Sequence, residues 1–168
     1  MGAPDHRASA RSVGPVACSV LTVSDSRTEA SDESGRLIQR LVAEAGHRVA
    51  GYELIRNEPR QIEAAVRRFL DDPPQCLIVT GGTGAGRRDI TVETVTPLLE
   101  KILPGFGELF RWLSYQEIGT AAMLSRALLG IAGGKPICCL PGSAAAVTLG
   151  LEKLLLPELA HLVWGASR

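Results

Sequence analysis

The sequence predicts an α/β fold of three layers, α/β/α, around a mostly parallel sheet. Short apolar, β-branched runs alternate with amphipathic helical runs along residues 16–168. Cys76-Leu77-Ile78-Val79 is apolar at every position, as a strand covered on both faces requires. Polar or glycine-rich turns follow apolar runs at Ser24-Asp25-Ser26, at residues 80–89 and at Pro141-Gly142-Ser143. In a parallel sheet such turns share the carboxyl edge, where ligands bind.

The elements read in order as follows. Residues 16–23 form a buried strand. Ser34 precedes an amphipathic helix whose Leu37, Ile38, Leu41, Val42 and Ala45 share a face, with Gly46 as the stop. Residues 49–55 form a second strand. Pro59 opens a helix that buries Ile62, Ala65, Val66, Phe69 and Leu70 and ends at Asp71-Asp72-Pro73-Pro74. After the strand at 76–79 and the glycine loop, Thr91 caps a helix running to Leu103, kinked at Pro97. Pro104-Gly105 breaks the chain, and helical runs follow over residues 106–113 and 120–129. Gly133-Gly134 is a turn, and residues 136–140 are a last central strand. Val147, Leu151, Leu154 and Leu155 form the buried side of the next helix, and Pro157 starts the closing one. Residues 1–15, polar and small, read as a flexible arm, and residues 16–168 as one domain.

A chain of 168 residues suits one compact domain, and 45% hydrophobic with only 4% aromatic content makes its core aliphatic. Lysine plus arginine (18) balances aspartate plus glutamate (18), so net charge gives no drive toward nucleic acid or a membrane surface. No run reaches transmembrane length and no signal peptide is visible. Cys18, Cys76, Cys138 and Cys139 lie in strand-like runs without C-x-x-C spacing and read as buried, reduced thiols. Together these features predict a cytoplasmic protein. His6, His47 and His161 show no metal-ligand spacing.

The chemistry concentrates in Thr80-Gly81-Gly82-Thr83-Gly84-Ala85-Gly86-Arg87-Arg88-Asp89-Ile90-Thr91. Its glycines let the backbone take positive φ and approach a ligand, and successive N–H groups there form an anion nest. Neither a Walker A loop nor a dinucleotide fingerprint fits the register. A ligand-free strand-to-helix turn is the bland alternative, but it would not need the threonines, arginines and aspartate clustered here. Residue type leaves two roles open for Asp89: stabilising a helix N-terminus or holding Mg²⁺ on phosphates. Arg88 would neutralise phosphate or pair with a carboxylate. Asp25 is a turn residue or a ligand contact. Ser143 caps a helix or offers its hydroxyl and amide to the same rim.

These segments resemble the MoaB/Mog family of molybdenum cofactor biosynthesis proteins, MoaB branch. The matching elements are Leu21-Thr22-Val23-Ser24-Asp25, the glycine loop with Arg88-Asp89-Ile90-Thr91, Pro104-Gly105-Phe106-Gly107-Glu108, Glu117-Ile118-Gly119-Thr120, Ser125-Arg126-Ala127 and Leu140-Pro141-Gly142-Ser143. They occur in family order. The resemblance implies a molybdopterin-binding enzyme that adenylylates molybdopterin. The terminal phosphate of the pterin attacks the α-phosphate of ATP, pyrophosphate leaves, and Mg²⁺ offsets charge. It further implies that Thr80, Gly81, Gly82, Thr83 and Gly84 hold phosphate, with Arg88 and Thr91 in the ligand set. Asp89 sits at the metal and catalytic centre, and Glu58 is a second catalytic carboxylate. Ser24, Asp25, Pro104, Gly105 and Ser114 line the site, and Pro141, Gly142 and Ser143 close it. The implied assembly is a homotrimer or homohexamer.

Three positions depart from the family pattern. Catalytic members carry an aspartate at the end of the second strand, where this chain reads Arg56-Asn57-Glu58; Arg87 replaces a frequent proline; and Ala144 follows Ser143 where some relatives have proline. A non-catalytic molybdopterin-binding or carrier protein is the alternative reading. Molybdenum-insertion proteins share the domain but carry extra ones, for which 168 residues leave no space.

Overall fold

The computed structural model describes residues 14–168, which leaves the N-terminal arm expected over residues 1–15 outside the described residues but for Gly14 and Pro15. β1 (Ala17–Val23), β2 (Arg48–Ile55), β3 (Cys76–Thr80) and β6 (Lys135–Leu140) run parallel. β5 (Leu128–Ala132) pairs antiparallel with β6, and the two-residue edge strand β4 (Lys101–Ile102) pairs antiparallel with β5. The order across the sheet is β2-β1-β3-β6-β5-β4.

Strand alternation sends side chains to two separate cores, which produces the three layers. Cys18 and Val20 of β1, Cys76 and Ile78 of β3, and Cys138 and Leu140 of β6 face one side. There they meet α1 (Glu33–Glu44), α4 (Pro104–Ile118), α5 (Ala144–Gly150) and α6 (Leu156–Ala166). Leu21, Leu77, Val79, Ile137 and Cys139 face the other side, against α2 (Pro59–Asp71) and α3 (Thr91–Val95). All four cysteines are buried free thiols, as their strand positions imply. Burial pushes the Cys139 thiol up to about 12, so it stays protonated at neutral pH.

Four expectations are corrected. The helix after the glycine loop stops at Val95; Thr96–Leu98 forms one tight turn, and the chain then extends into β4, because Glu100 N–H and Leu103 N–H are taken by the carbonyls of Ile131 and Leu129. Pro104 does not break the chain but occupies the first turn of α4, where its missing N–H costs nothing, and that helix continues to Ile118. Residues 120–129 are not one helix. A 3₁₀ segment, Gly119–Leu124, gives way to β5, which the Gly133-Gly134 turn folds onto β6. Finally, α5 and α6 form one continuous rod, joined by the wide turn Leu151–Leu155. Pro157 lies just beyond that turn, and a widened helix relieves the clash and the lost hydrogen bond that proline brings.

Ile78 is fully buried at the centre of β3. Ile78→Ala is expected to cost about 2–5 kcal/mol in urea unfolding with an unchanged m-value. A loss near zero would show that the central layer does not carry the fold.

Candidate functional site

The carboxyl ends of β1, β3 and β6 do converge, on a cavity of about 780 Å³. That volume is within the range of small-molecule sites. Ser24, Asp25, Gly81, Gly82, Thr83, Gly84, Arg88, Asp89, Ser114, Pro141, Gly142 and Ser143 all line it. Its apolar side comes from Phe110, Ile118, Ala121, Leu124 and Leu149.

The glycine loop is shaped by close contact. Gly81 has φ +94 and Gly82 φ +63, left-handed conformations that disfavour any side chain. The Gly81 amide donates to the Leu140 carbonyl at 3.1 Å, and Thr91 returns its hydroxyl to Gly81 O and its N–H to Gly82 O. Past this anchor, the amides of Gly82, Thr83 and Gly84 donate to no acceptor among the described residues. Of the amides of residues 80–84 expected to form an anion nest, these three are the ones left without a protein acceptor. Thr80 is buried, its hydroxyl spent on the Pro141 carbonyl, and Thr91 is the buried first residue of α3 rather than its cap.

Two arginines to which no sequence motif assigns a role, Arg126 and Arg27, hold the rim. Arg126 donates to the carbonyls of Thr83, Gly84 and Asp89, and pairs with Glu93. The hydrogen bond from Arg126 holds the Glu93 carboxyl below its usual range. Arg27 lines the cavity and reaches Ser34, Asp32 and the Gly142 carbonyl, tying the β1 loop to the β6 loop. Asp32, fully buried, caps α1 through the Gly35 amide and accepts from the Tyr52 hydroxyl at 2.7 Å. Ser34 lies inside that helix, and its hydroxyl donates to Gly142 O.

Asp89 folds back over the loop: its Oδ2 accepts from Gly86 N–H at 3.1 Å. A Cβ on Gly84 would sit 2.7 Å from the same oxygen. Ser24 accepts from the amides of Ser26 and Arg27, and Ser143 caps α5 through Ala146 N–H. Besides the buried Thr80 and Thr91, three residues expected at the site lie outside the cavity lining. Glu58 is exposed at the start of α2, its carboxylate bound to Gln61, because Pro59 begins the helix directly after it. Pro104 and Gly105 are exposed in the first turn of α4; the cavity is met further along that helix, by Phe110 and Ser114. Asn57 occupies the cavity wall instead of Glu58.

Residues 19–161 match a family model described as "Probable molybdopterin binding domain". The chain is 44% identical to Molybdenum cofactor biosynthesis protein B of Bacillus subtilis over 165 residues, 97% of this chain and 96% of the relative. It belongs to the MoaB family of molybdenum cofactor biosynthesis proteins. A crystal structure titled Molybdenum cofactor biosynthesis protein B superposes with a TM-score of 0.88 at 45% identity, covering 90% of this chain and 96% of that one. The tungsten cofactor synthesizing protein MoaB of Pyrococcus furiosus superposes at 0.83 with 33% identity, covering 92% and 98%. The MoaB relatives share the three-layer sheet that forms this cavity.

Asp32 yields a pH prediction. Burial alone raises its carboxyl, but Thr22, the Gly35 amide, Tyr52 and Arg27 outweigh burial and hold it below its ordinary 3.8. A carboxylate depressed in this way stabilises the fold above the unfolded value and loses that contribution as pH falls through the folded one. Asp32→Asn is expected to lose about 1–3 kcal/mol at pH 7. The gap to the parent should narrow below about pH 4. Urea titrations at both pH values measure it, and a gap that is the same at each contradicts the assignment.

Proposed function

We propose that the chain adenylylates molybdopterin, using ATP as co-substrate and Mg²⁺ as cofactor. One observation carries the reading: three residues with unpaired amides (Gly82, Thr83, Gly84), three carboxylates (Asp25, Asp89, Glu117) and two arginines (Arg27, Arg88) line a single cavity. The family membership supports the pterin as ligand.

The cavity's chemistry fits a magnesium ion. Asp25 and Asp89 both line it, and Mg²⁺ characteristically takes one or two carboxylates together with substrate phosphates and its own waters. Asp89, with Asp25 on the same cavity lining, would hold the ion, which supplies charge neutralisation on the triphosphate when bound. The amides of Gly82, Thr83 and Gly84 donate to phosphate oxygens without reorganising, because the Arg126 and Thr91 tethers already fix them. Arg88 adds positive charge at the same edge. The terminal phosphate oxygen of the pterin forms a bond to the α-phosphorus of ATP, the α–β bridging bond breaks, and pyrophosphate leaves. Little covalent work falls to the protein; it orients the two phosphates and spreads their charge.

A second reading is a molybdopterin-binding or carrier protein that uses the same cavity without turnover. It is favoured by Asn57, a neutral side chain in the cavity wall. The ligands in either case are a small-molecule pterin and a nucleotide, with no nucleic acid and no membrane. No described helix is long and apolar enough to cross a membrane. The buried free thiols support a cytoplasmic setting. A homotrimer or homohexamer is supported by exposed large apolar side chains: Leu109, Trp112 and Tyr115 on α4, with Met123 just after it.

Purified protein incubated with molybdopterin, ATP and Mg²⁺ is expected to release pyrophosphate. Tight pterin binding with no release would establish the carrier reading instead. Asp89→Ala is expected to lower that release by about 10²-fold or more while the melting midpoint moves by only a few degrees. Near-parental turnover in this variant would remove Asp89 from the reaction.

A further inference from the structure

Asn57 follows the end of β2 and joins the loops that frame the cavity. Its backbone N–H donates to Asp25 Oδ1 at 3.0 Å, and its side-chain Nδ2 donates to the Arg88 carbonyl, one residue before Asp89. The other half of the amide is unused. Oδ1 is enclosed, meets no donor, and lies 2.8 Å from where a Cβ on Gly82 would stand.

This side chain is held by its donor and wastes its acceptor. A carboxylate of the same shape would set one oxygen against the Arg88 carbonyl. Its other oxygen would be enclosed without a donor. Opposed acceptors and a desolvated, unpaired charge both cost free energy. The pocket around residue 57 is built for a neutral donor.

We propose that Asn57 is a positioning residue: its backbone N–H holds Asp25, its neutral side-chain amide holds the backbone at Arg88 from which Asp89 follows, and position 57 is not a metal-ligand position in this chain. The kinetic consequence rests on the adenylylation reading above, whereas the structural consequence rests on geometry alone.

Asn57→Asp and Asn57→Ala are to be compared with the parent in three measurements. These are pyrophosphate release with Mg²⁺ titrated, molybdopterin affinity without ATP, and the melting midpoint. The expected order in every measurement is parent above Ala above Asp. The Asp variant should melt about 3–6 °C below the parent. The Ala variant should lose about tenfold in kcat, with KM for molybdopterin within about twofold. The half-saturating Mg²⁺ concentration should not fall in either variant. A faster Asp variant, or one saturated by less Mg²⁺ than the parent, would overturn the proposal and make residue 57 a metal position. An Ala variant with parental kcat and a lowered melting midpoint would also overturn it, by leaving only a structural contact. If the parent itself releases no pyrophosphate, the adenylylation reading fails separately. Melting midpoints and pterin affinities then decide: parent above Ala above Asp supports the role, and Asp equal to or above the parent overturns it.

Discussion

Gly81 leaves β3 so close to β1 that a Cβ there would stand 2.2 Å from the Val23 carbonyl oxygen. No side chain fits, and the φ of +94 would strain one in any case. The same glycine touches the β6 loop, where a Cβ on Gly142 would lie 3.4 Å from Gly81 Cα. Three strand ends thus meet through glycine. Beyond this contact the chain turns at Gly81 and Gly82, and Gly82, Thr83 and Gly84 line the cavity. Their amides are left unpaired because Leu140 and Thr91 already satisfy the backbone on either side of the turn. Unpaired N–H groups at a partly enclosed site carry a free-energy penalty that an anion would remove.

The loop could not hold this shape alone. Arg126 gathers three of its carbonyls with one guanidinium, a planar fork suited to several acceptors at once. On the opposite rim, Arg27 is itself held by a buried carboxylate and reaches a loop far along the chain. Asn57 closes the third side. The site is therefore rigid by cross-loop polar contacts, and its reactive inventory is small. That combination suits phosphate chemistry, in which orientation and charge placement dominate.

Much of the fold was legible in the sequence because its signals are local. The short, nearly continuous apolar runs of β1, β3 and β6, the apolar stripes of α1 and α2, and the glycine and proline turns each carry a local pattern or punctuation. The β4–β5 region is not legible in the sequence, for the opposite reason. Leu128-Leu129-Gly130-Ile131-Ala132 is a short apolar run that suits helix or strand, and its pairing with β6 decided the outcome. In the site, the turn residues were legible and the tethers were not. Arg27 and Gly142 are 115 positions apart, and Arg126 and Thr83 are 43 apart. No local pattern reports such a pair. Residue type points to Glu58 for the negative charge that Asn57 cannot supply, yet the helix beginning at Pro59 holds Glu58 outside the cavity.

The central claim is that the amides of Gly82, Thr83 and Gly84 are the anion-binding element. Amide resonances of isotopically labelled protein, followed while molybdopterin and then ATP with Mg²⁺ are added, test it most directly. The account predicts that these three resonances shift first and furthest, with saturation tracking ligand occupancy. Resonances at the separate groove lined by Lys101, Leu103 and His161 should stay unmoved. Saturable binding that leaves the three amides unshifted would contradict it.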